Sequence, residues 1–230
     1  MVDKPLGLSS MDVVRNVRRS ASRGAGVKKT KCGHAGTLDP LATGVVVCCI
    51  GPATKSVDRL MGLTKTYEAD VDLSAFTTTE DREGPRTEVE VASPPPAEAV
   101  RAACAGFVGE AVEQIPPAYS AIHIDGRRAY ELARKGADVK MRPRMVRIDA
   151  VELLAYDWPV ASIRVVCGKG TYIRSLGRDL GVALGTGGHL AALRRTAVGP
   201  YRVEDACQIE RFETPLDQAE LLPVPPEATP

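Results

Sequence analysis

Residues 33–50 read GHAGTLDPLATGVVVCCI, a stretch in which glycines and other small residues surround one carboxylate, Asp39, and lead directly into six apolar residues. Small residues allow a ligand to approach the backbone closely. The apolar run over residues 45–50 is typical of a buried strand. An aspartate before proline in a glycine-rich turn usually caps its own backbone, so the residue types alone favour turn chemistry over catalysis for Asp39.

The residues before this stretch predict a capped helix followed by a loop. Residues 9–12 (SSMD) have the spacing of a capping box, and the three valines within residues 13–17 form one apolar stripe. Residues 20–33 are rich in glycine and lysine and carry no periodicity, which predicts a mobile loop.

The rest of the chain mixes strand and helix periodicities, which predicts an α+β protein. Predicted strands cover residues 66–74, 146–154 and 162–168. Predicted helices cover residues 97–108, 127–136 and 174–184, the last two closed by Gly136 and Gly185.

Composition excludes several classes of protein. The chain is 44% hydrophobic and 26% charged, as globular proteins are. Its longest apolar run is too short to span a bilayer and its N-terminus lacks the apolar core of a signal peptide, so we expect a cytosolic protein without a membrane partner. The six cysteines include no C-x-x-C pair and the three histidines are far apart, so we expect reduced thiols and no metal site. Neither a P-loop nor a dinucleotide fingerprint is present.

The net charge of +1 hides a strong segregation of charge. Residues 1–60 carry +6 and residues 123–195 carry +7, whereas residues 68–113 carry −8 and residues 196–230 carry −5. The two basic blocks could form one face for a phosphate-rich partner, or the acidic blocks could neutralise them across the fold. The arginine-rich second basic block favours nucleic acid, because the planar guanidinium suits phosphate geometry.

Residues 33–44 closely resemble the active-site motif of the TruB family of tRNA pseudouridine synthases. The resemblance continues, in the family's order, through seven further blocks. These are DKPxGxSS (3–10), KTYE (65–68), TxTxDxxG (77–84), QIPPAYSA (114–121), GRRAYELAR (126–134), GTYIRSL (170–176) and GHLAALRRTAVG (188–199). On these blocks the chain is identified as a member of that family.

The resemblance implies the α+β pseudouridine synthase fold, a mixed and mainly antiparallel sheet flanked by helices with a central catalytic cleft. It implies a catalytic domain over residues 1–200 and a short C-terminal tail over residues 201–230. The 31 residues after the last block are too few for the C-terminal RNA-binding domain that bacterial members commonly carry, so we expect that domain to be absent.

The activity implied is the conversion of uridine 55 in the TΨC loop of tRNA to pseudouridine, without a cofactor and after the base is flipped out of its stack. By resemblance the catalytic residues are Asp39, Tyr67 and Arg174. Arg174 would lie against Asp39, and Tyr67 would stack on the base and help to remove the proton from the new carbon attachment point. Asp39 would either attack the anomeric carbon or remove the neighbouring sugar proton, and the sequence leaves both routes open.

The resemblance also implies the residues that bind the target nucleotide: His34, Tyr67, Tyr172 and Leu193. His34 would occupy the space that the extruded base leaves. Lys4 is expected to be structural. His123 stands where the family usually has lysine, so any RNA contact there would depend on pH between about 6 and 7.

Two other functions compete with this one. An RNA chaperone could use the same basic surface to open and refold tRNA without catalysis. A relative of the archaeal and eukaryotic enzymes could act within a complex guided by another RNA. The 33–44 and 188–199 blocks match the stand-alone bacterial pattern more closely, so we expect a monomer that acts on the T arm of tRNA without an obligate protein partner.

Overall fold

The computed structural model describes residues 1–120, 122–124, 127–130, 139 and 141–223. The chain forms two units. The first unit consists of Met1–Lys65 and Arg194–Pro230, and the second consists of Thr66–Leu193. The division into a catalytic domain over 1–200 and a tail over 201–230 stays a prediction.

Strands alternate with short helices along the described residues. The strands are β1 (Val2–Lys4), β2 (Cys32–His34), β3 (Thr43–Val46), β4 (Cys48–Ile50), β5 (Lys65–Asp72), β6 (Ala75–Thr77), β7 (Arg86–Glu88), β8 (Gly109–Gln114), β9 (His123–Ile124), β10 (Arg127–Arg128), β11 (Arg144–Asp157), β12 (Val160–Cys167), β13 (His189–Val198) and β14 (Tyr201–Arg202). The α-helices are α1 (Ser10–Gly24), α2 (Val57–Gly62), α3 (Ala97–Ala105) and α4 (Ile173–Leu184). Short 3₁₀ helices lie at Gly51–Ser56, Val203–Asp205, Ile209–Glu213 and Gln218–Glu220.

The sheet of the first unit mixes both strand directions. Strand β1 is antiparallel to β3, and β3 is parallel to the C-terminal half of β13, where Gly44 lies opposite Arg195. Strand β14 closes a hairpin on β13. Residues 194–198 of β13 belong to this unit and residues 189–193 to the second.

The single strand predicted over residues 45–50 is wrong, because this segment changes its partner halfway. Residues up to Val46 pair with β1, whereas Cys48 to Ile50 form β4 and pair with β2. Between them, the Val47 carbonyl accepts a hydrogen bond from the Ala35 amide at 2.9 Å. Periodicity does not reveal this break, because the residues on both sides of it are apolar, as they would be in one continuous buried strand.

Helix α1 begins as predicted and ends later than predicted. Ser9 and Asp12 form the expected capping box. The mobile loop predicted over residues 20–33 is wrong at both ends, because α1 continues to Gly24 and β2 starts at Cys32. The fully buried Ser20 accounts for the extension: its hydroxyl donates to the Thr214 carbonyl at 2.5 Å. This partner lies far along the chain, so local periodicity does not reveal it.

In the second unit, strands β5, β12, β11 and β8 lie side by side in that order. Strand β11 is antiparallel to both of its neighbours, and β6 and β7 form a separate antiparallel hairpin. The described pairs of the two units therefore form mixed, mainly antiparallel sheets. The predicted strands over 66–74, 146–154 and 162–168 are confirmed by β5, β11 and β12.

The helix predictions in this unit have mixed outcomes. Those over 97–108 and 174–184 are confirmed by α3 and α4, and Gly185 ends α4 with a left-handed φ of 68°. The helix predicted over 127–136 starts later than predicted, because Arg127–Arg128 form β10 and pair with β9, whereas Ala129 and Tyr130 are helical. Residues 131–136 of that prediction lie outside the described residues.

Helix α4 packs closely on the backbone that follows it. A Cβ on Gly181 would lie 2.0 Å from the Gly187 carbonyl oxygen, and one on Gly187 would lie 2.3 Å from the Ala75 amide nitrogen. Only glycine permits such distances. Among the described residues, no helix has both the length and the hydropathy that crossing a membrane requires.

Gly181→Ala tests this close packing. Because the new methyl group would overlap the Gly187 carbonyl, we expect the free energy of unfolding to fall by about 1–3 kcal/mol. Gly62→Ala is the matched control, since no atom outside its own helix backbone and its chain neighbours lies within 4 Å of its Cβ position. Urea unfolding followed by circular dichroism compares the two variants, and equal stability would contradict the packing of α4 described above.

Candidate active site

The loop that carries Asp39 lies in the first unit between β2 and β3, and its backbone is fastened at several points. The buried Ser10 hydroxyl donates to the Leu38 carbonyl at 2.9 Å and accepts from the Leu38 amide at 2.7 Å. The Gly7 amide donates to the Pro40 carbonyl at 2.8 Å. The start of α1 and the segment before it therefore hold the loop on both sides of Asp39.

Lys4, at the end of β1, supplies the first of two buried cations beside this loop. Its side chain is fully buried, and its ammonium donates to the carbonyls of Leu8 at 2.7 Å, Pro5 at 3.0 Å and Pro40 at 3.4 Å. Burial lowers the pKa of Lys4 from 10.5 to about 8, and the Asp39 carboxylate opposes that shift. The expected structural role of Lys4 fits these contacts.

Arg195, on β13, supplies the second buried cation. It is 1% exposed, and its guanidinium donates to the carbonyls of Val45 at 2.8 Å, Gly36 at 3.2 Å and Thr37 at 3.3 Å. It thus binds the loop on the N-terminal side of Asp39 and the strand that follows it. The guanidinium suits this task, because its five donors form a rigid planar fork.

Two glycines allow the loop to reach Arg195. Gly36 and Gly44 have φ values of 115° and 108°, which side chains rarely adopt. A Cβ on Gly44 would also lie 2.2 Å from the Arg195 carbonyl oxygen. Gly36 and Gly44 therefore serve backbone packing, in addition to any access they give to a ligand.

Asp39 and His34 are both half-buried on this scaffold. The effect of Asp39 on the pKa of Lys4 places its carboxylate within electrostatic reach of the buried ammonium. Burial, together with Arg195, lowers the pKa of His34 below its ordinary 6.5, so its ring is neutral at neutral pH. Among the described residues, no group forms a hydrogen bond to the buried His34 Nδ1.

Tyr67 and Tyr172 lie in the second unit. Tyr67 is on β5 and is 9% exposed, on the buried side of the alternation that the sequence predicts. Tyr172 caps the start of α4, and the Gln114 side chain holds its backbone through two hydrogen bonds of 2.8 and 3.0 Å. The Arg144 guanidinium lies 4.6 Å from the centre of the Tyr172 ring, which is a cation–π contact.

Arg174, in the first turn of α4, is 6% exposed. Its guanidinium donates to the carbonyls of Tyr119 at 2.9 Å and Thr79 at 3.1 Å, and lies 3.5 Å from the carboxylate of the buried Asp81. The Thr79 hydroxyl donates in turn to Asp81 at 2.5 Å. These contacts fix the guanidinium within the second unit, and the expected pairing with Asp39 stays a prediction.

Glu80, between Thr79 and Asp81, connects this segment to α4, and its own backbone is strained. Its φ is 62°, a left-handed value that is uncommon for a residue with a side chain. Its carboxylate accepts a hydrogen bond from Ser175 at 2.8 Å and pairs with Arg178, while its carbonyl accepts from the Leu190 amide at 3.1 Å. Burial raises the pKa of Glu80 despite Arg178.

The first unit thus brings together His34 and Asp39, and the second contains Tyr67, Tyr172, Arg174 and Leu193. Leu193 lies on β13 and is 9% exposed. Sequence reasoning gave no site role to Arg195, Asp81 or Glu80. For Arg195 a signal existed, since it falls between Leu193 and Ala197 on the buried face of an alternating strand, where an arginine needs partners.

This geometry can support chemistry at a carboxylate. Asp39 lies on a backbone that two buried cations hold. A fixed, ionised carboxylate can act as a nucleophile or as a base. In the described part of the chain, no three His, Cys, Asp or Glu side chains are grouped as a metal site would require.

Two family models match the chain. The TruB family pseudouridylate synthase N-terminal domain matches residues 24–173, and the tRNA pseudouridylate synthase B C-terminal domain matches residues 174–221. Curated relatives include two proteins named tRNA pseudouridine synthase B, both 48% identical to this chain and matched over 95% of it. They come from Phocaeicola vulgatus, with 93% of the relative covered, and Cupriavidus metallidurans, with 68% covered.

Solved structures show the same architecture. A chain in the crystal structure of a Cbf5-Nop10-Gar1 complex matches with a TM-score of 0.67 at 28% identity, over 91% of this chain and 51% of that one. A chain in an H/ACA RNP bound to a substrate RNA containing 2'-deoxyuridine matches with a TM-score of 0.64 at 26% identity, over 91% and 50%. This chain spans about half the length of those solved chains. The matches confirm the α+β pseudouridine synthase fold.

The electrostatic coupling of Lys4 and Asp39 gives a testable prediction. Since the Asp39 carboxylate raises the pKa of Lys4, Asp39→Asn should lower that pKa further below about 8. Asp58→Asn, which removes an exposed carboxylate in the same unit, should leave it unchanged. An NMR titration of the lysine side chains measures both. An identical Lys4 pKa in wild type and Asp39→Asn would contradict the proximity of the two groups.

Proposed function

Because this chain belongs to the TruB family of pseudouridylate synthases, we propose that it converts uridine 55 in the TΨC loop of tRNA to pseudouridine. The observation that carries the proposal is the Asp39 loop, in which a half-buried carboxylate lies on a backbone bound by the fully buried Lys4 and Arg195. The relatives named tRNA pseudouridine synthase B, matched over nearly the whole chain, support the substrate and the reaction.

The reaction is an isomerisation, so its atoms balance without a second substrate. The bond between ribose C1′ and uracil N1 breaks, the uracil rotates, and a bond from C1′ to C5 forms. The C5 proton leaves to solvent and N1 gains a proton. Nothing is oxidised or reduced, so the proposed reaction needs no cofactor.

Asp39 is the proposed catalytic carboxylate. Cleavage of the glycosidic bond leaves C1′ electron-deficient, and an ionised carboxylate can either attack that carbon or remove the neighbouring sugar proton to give a glycal. Both routes need the charged form of Asp39 in a site that excludes most water. The Lys4 ammonium lies within electrostatic reach of that carboxylate.

The remaining roles follow the family pattern. Tyr67 stacks on the target base and helps to remove the C5 proton, Tyr172 and Leu193 contact the nucleotide, and Arg174 pairs with Asp39. The rigid anchoring of Arg174 and of the Tyr172 backbone supports such positioning roles. His34 occupies the space of the extruded base, and the neutral state of its ring suits stacking among bases.

The proposed partner is the T arm of tRNA, bound by a monomer in the cytoplasm without an obligate protein partner. The curated relatives support a stand-alone enzyme over a guided complex, because they are 43–48% identical, whereas the chains from guided-complex structures are 26–28% identical. The catalytic domain over 1–200 and the tail over 201–230 belong to the same proposal.

Tritium release from an unmodified tRNA transcript labelled at uridine C5 tests the proposed function. We expect wild type to release one tritium per tRNA without added cofactor or metal. Asp39→Asn should reduce the rate at least about 10²-fold and still bind tRNA, because the carboxylate is lost and the basic surface remains. Asp58→Asn, which neutralises an exposed carboxylate in the same unit, is the matched control and should retain the rate.

Each alternative gives a different result. Equal release by wild type and Asp39→Asn would remove Asp39 from catalysis. An absence of release from wild type despite tRNA binding would contradict the isomerase and favour the RNA chaperone. Mapping of the product by carbodiimide treatment and primer extension should place pseudouridine at position 55, and a product elsewhere would contradict the T-arm assignment.

A further inference from the structure

Helix α1 and the loop after it form a basic hollow in the first unit. It encloses about 340 Å³, and its lining contains six cationic side chains and no acidic one. The lining residues are Arg15, Arg18, Arg19, Ser22, Arg23, Val27, Lys28 and Lys29. We call this surface the basic hollow.

Two of the six cations have partners within the protein. Arg15 pairs with Asp12 at 2.5 Å, and Arg23 donates to the carbonyls of Phe212 and Glu213 at 3.2 and 2.5 Å. The other four are Arg18, Arg19, Lys28 and Lys29. Within the described ranges, no carboxylate lies within ion-pair distance of these four side chains.

The helix dipole does not account for this concentration of charge. A cation in the last turn of a helix is stabilised by the dipole, and of the hollow's residues Arg23 occupies that turn. The other five cations, Arg15, Arg18, Arg19, Lys28 and Lys29, lie before or beyond it. Like charges gathered around one concave surface repel each other, and an anion bound among them would relieve that repulsion.

Phosphate is the anion that this set of side chains fits best. Arginine binds phosphate oxygens through two parallel hydrogen bonds, and lysine adds a compact charge. Three of the lining arginines lie within five residues on one helix, so several phosphates along a chain could be bound together. A nucleic-acid backbone presents phosphates in this way.

Helix α1 also relates the basic hollow to the Asp39 loop. Its first residue, Ser10, holds Leu38 of that loop, whereas Arg15 to Arg23 lie 5 to 13 residues further along the helix. At a rise of about 1.5 Å per residue, the cations lie roughly 8–20 Å along the helix axis from that contact. Successive nucleotides of a nucleic-acid strand are only a few Å apart along a duplex, so this distance corresponds to several nucleotides.

We infer that the basic hollow binds backbone phosphates of the tRNA substrate several nucleotides from the target uridine. This inference rests on the proposed function, since it takes tRNA as the RNA and Asp39 as the reacting group. Through charge, the hollow strengthens tRNA binding and orients the tRNA, and it makes no sequence-specific contact with a base.

The test measures binding of fluorescently labelled, unmodified tRNA by anisotropy over a range of salt concentrations. In the double variant Arg19→Gln/Lys28→Gln, tRNA binding should weaken. The slope of the logarithm of the association constant against the logarithm of salt concentration should become shallower by about 1.5, since each lost phosphate contact reduces that slope by about 0.7–0.9. Arg19→Lys/Lys28→Arg keeps both charges and should keep the slope. Lys55→Gln/Arg202→Gln removes two exposed cations of the same unit outside the hollow and should bind like wild type.

The outcomes separate local contact from general charge. An equal loss of slope in the Lys55→Gln/Arg202→Gln control would overturn the inference, because only net charge would then matter. A wild-type slope in Arg19→Gln/Lys28→Gln would overturn it as well. If Arg19→Gln/Lys28→Gln loses the same slope with an isolated T-arm stem-loop, the distance argument is supported. A loss of slope that is seen only with full-length tRNA contradicts it.

Binding and turnover are measured separately, so a failure of this inference differs from a failure of the proposed function. If wild type releases no tritium while tRNA binding still depends on Arg19 and Lys28, the isomerase proposal falls and the RNA-binding surface is supported. If wild type releases tritium while tRNA binding does not depend on Arg19 and Lys28, the isomerase proposal is supported and the inference about the basic hollow falls.

Discussion

The burial of two cations beside one loop is the constraint on which the candidate site depends. Lys4 and Arg195 are withdrawn from water in the first unit, and each donates to three backbone carbonyls. A buried charge without partners costs several kcal/mol, so these carbonyls must stay where the cations need them. Since Gly36, Thr37 and Pro40 are among the acceptors, the backbone on both sides of Asp39 is fixed by the same requirement.

The surrounding sequence makes this arrangement possible. The parallel pairing of β3 with β13 brings Arg195 opposite Gly44, where only glycine allows the close approach. The capped start of α1 places Ser10 against Leu38. A carboxylate held in this way needs little reorganisation before it reacts, which is what the catalytic role proposed for Asp39 requires.

Patterns over a few neighbouring residues predicted individual helices and strands. Most of the features that these patterns missed depend on contacts between residues far apart in the chain. The capping box at Ser9, the alternation of β5 and the glycine stop at Gly185 depend on neighbours a few residues away. The extension of α1 depends on Thr214, and the break in the 45–50 strand depends on its change of partner. The candidate residues came from resemblance, because no periodicity distinguishes a catalytic aspartate from a turn aspartate. The resemblance predicts a structural role for Lys4, and the alternation of β13 places Arg195 on a buried face, but only the fold shows which carbonyls each cation binds.

The single-turnover rate of pseudouridine formation by Arg195→Lys tests the central claim most directly. Lysine keeps the charge but cannot reproduce the planar fork that binds three carbonyls, so the Asp39 loop would lose its fixed geometry. We predict a rate about 10²-fold lower at saturating tRNA, the scale of a misplacement of about 1 Å. Arg194→Lys, at the adjacent position on β13 where the side chain pairs with Asp3, should retain the rate. A wild-type rate in Arg195→Lys would contradict the claim that buried cations prepare Asp39 for catalysis.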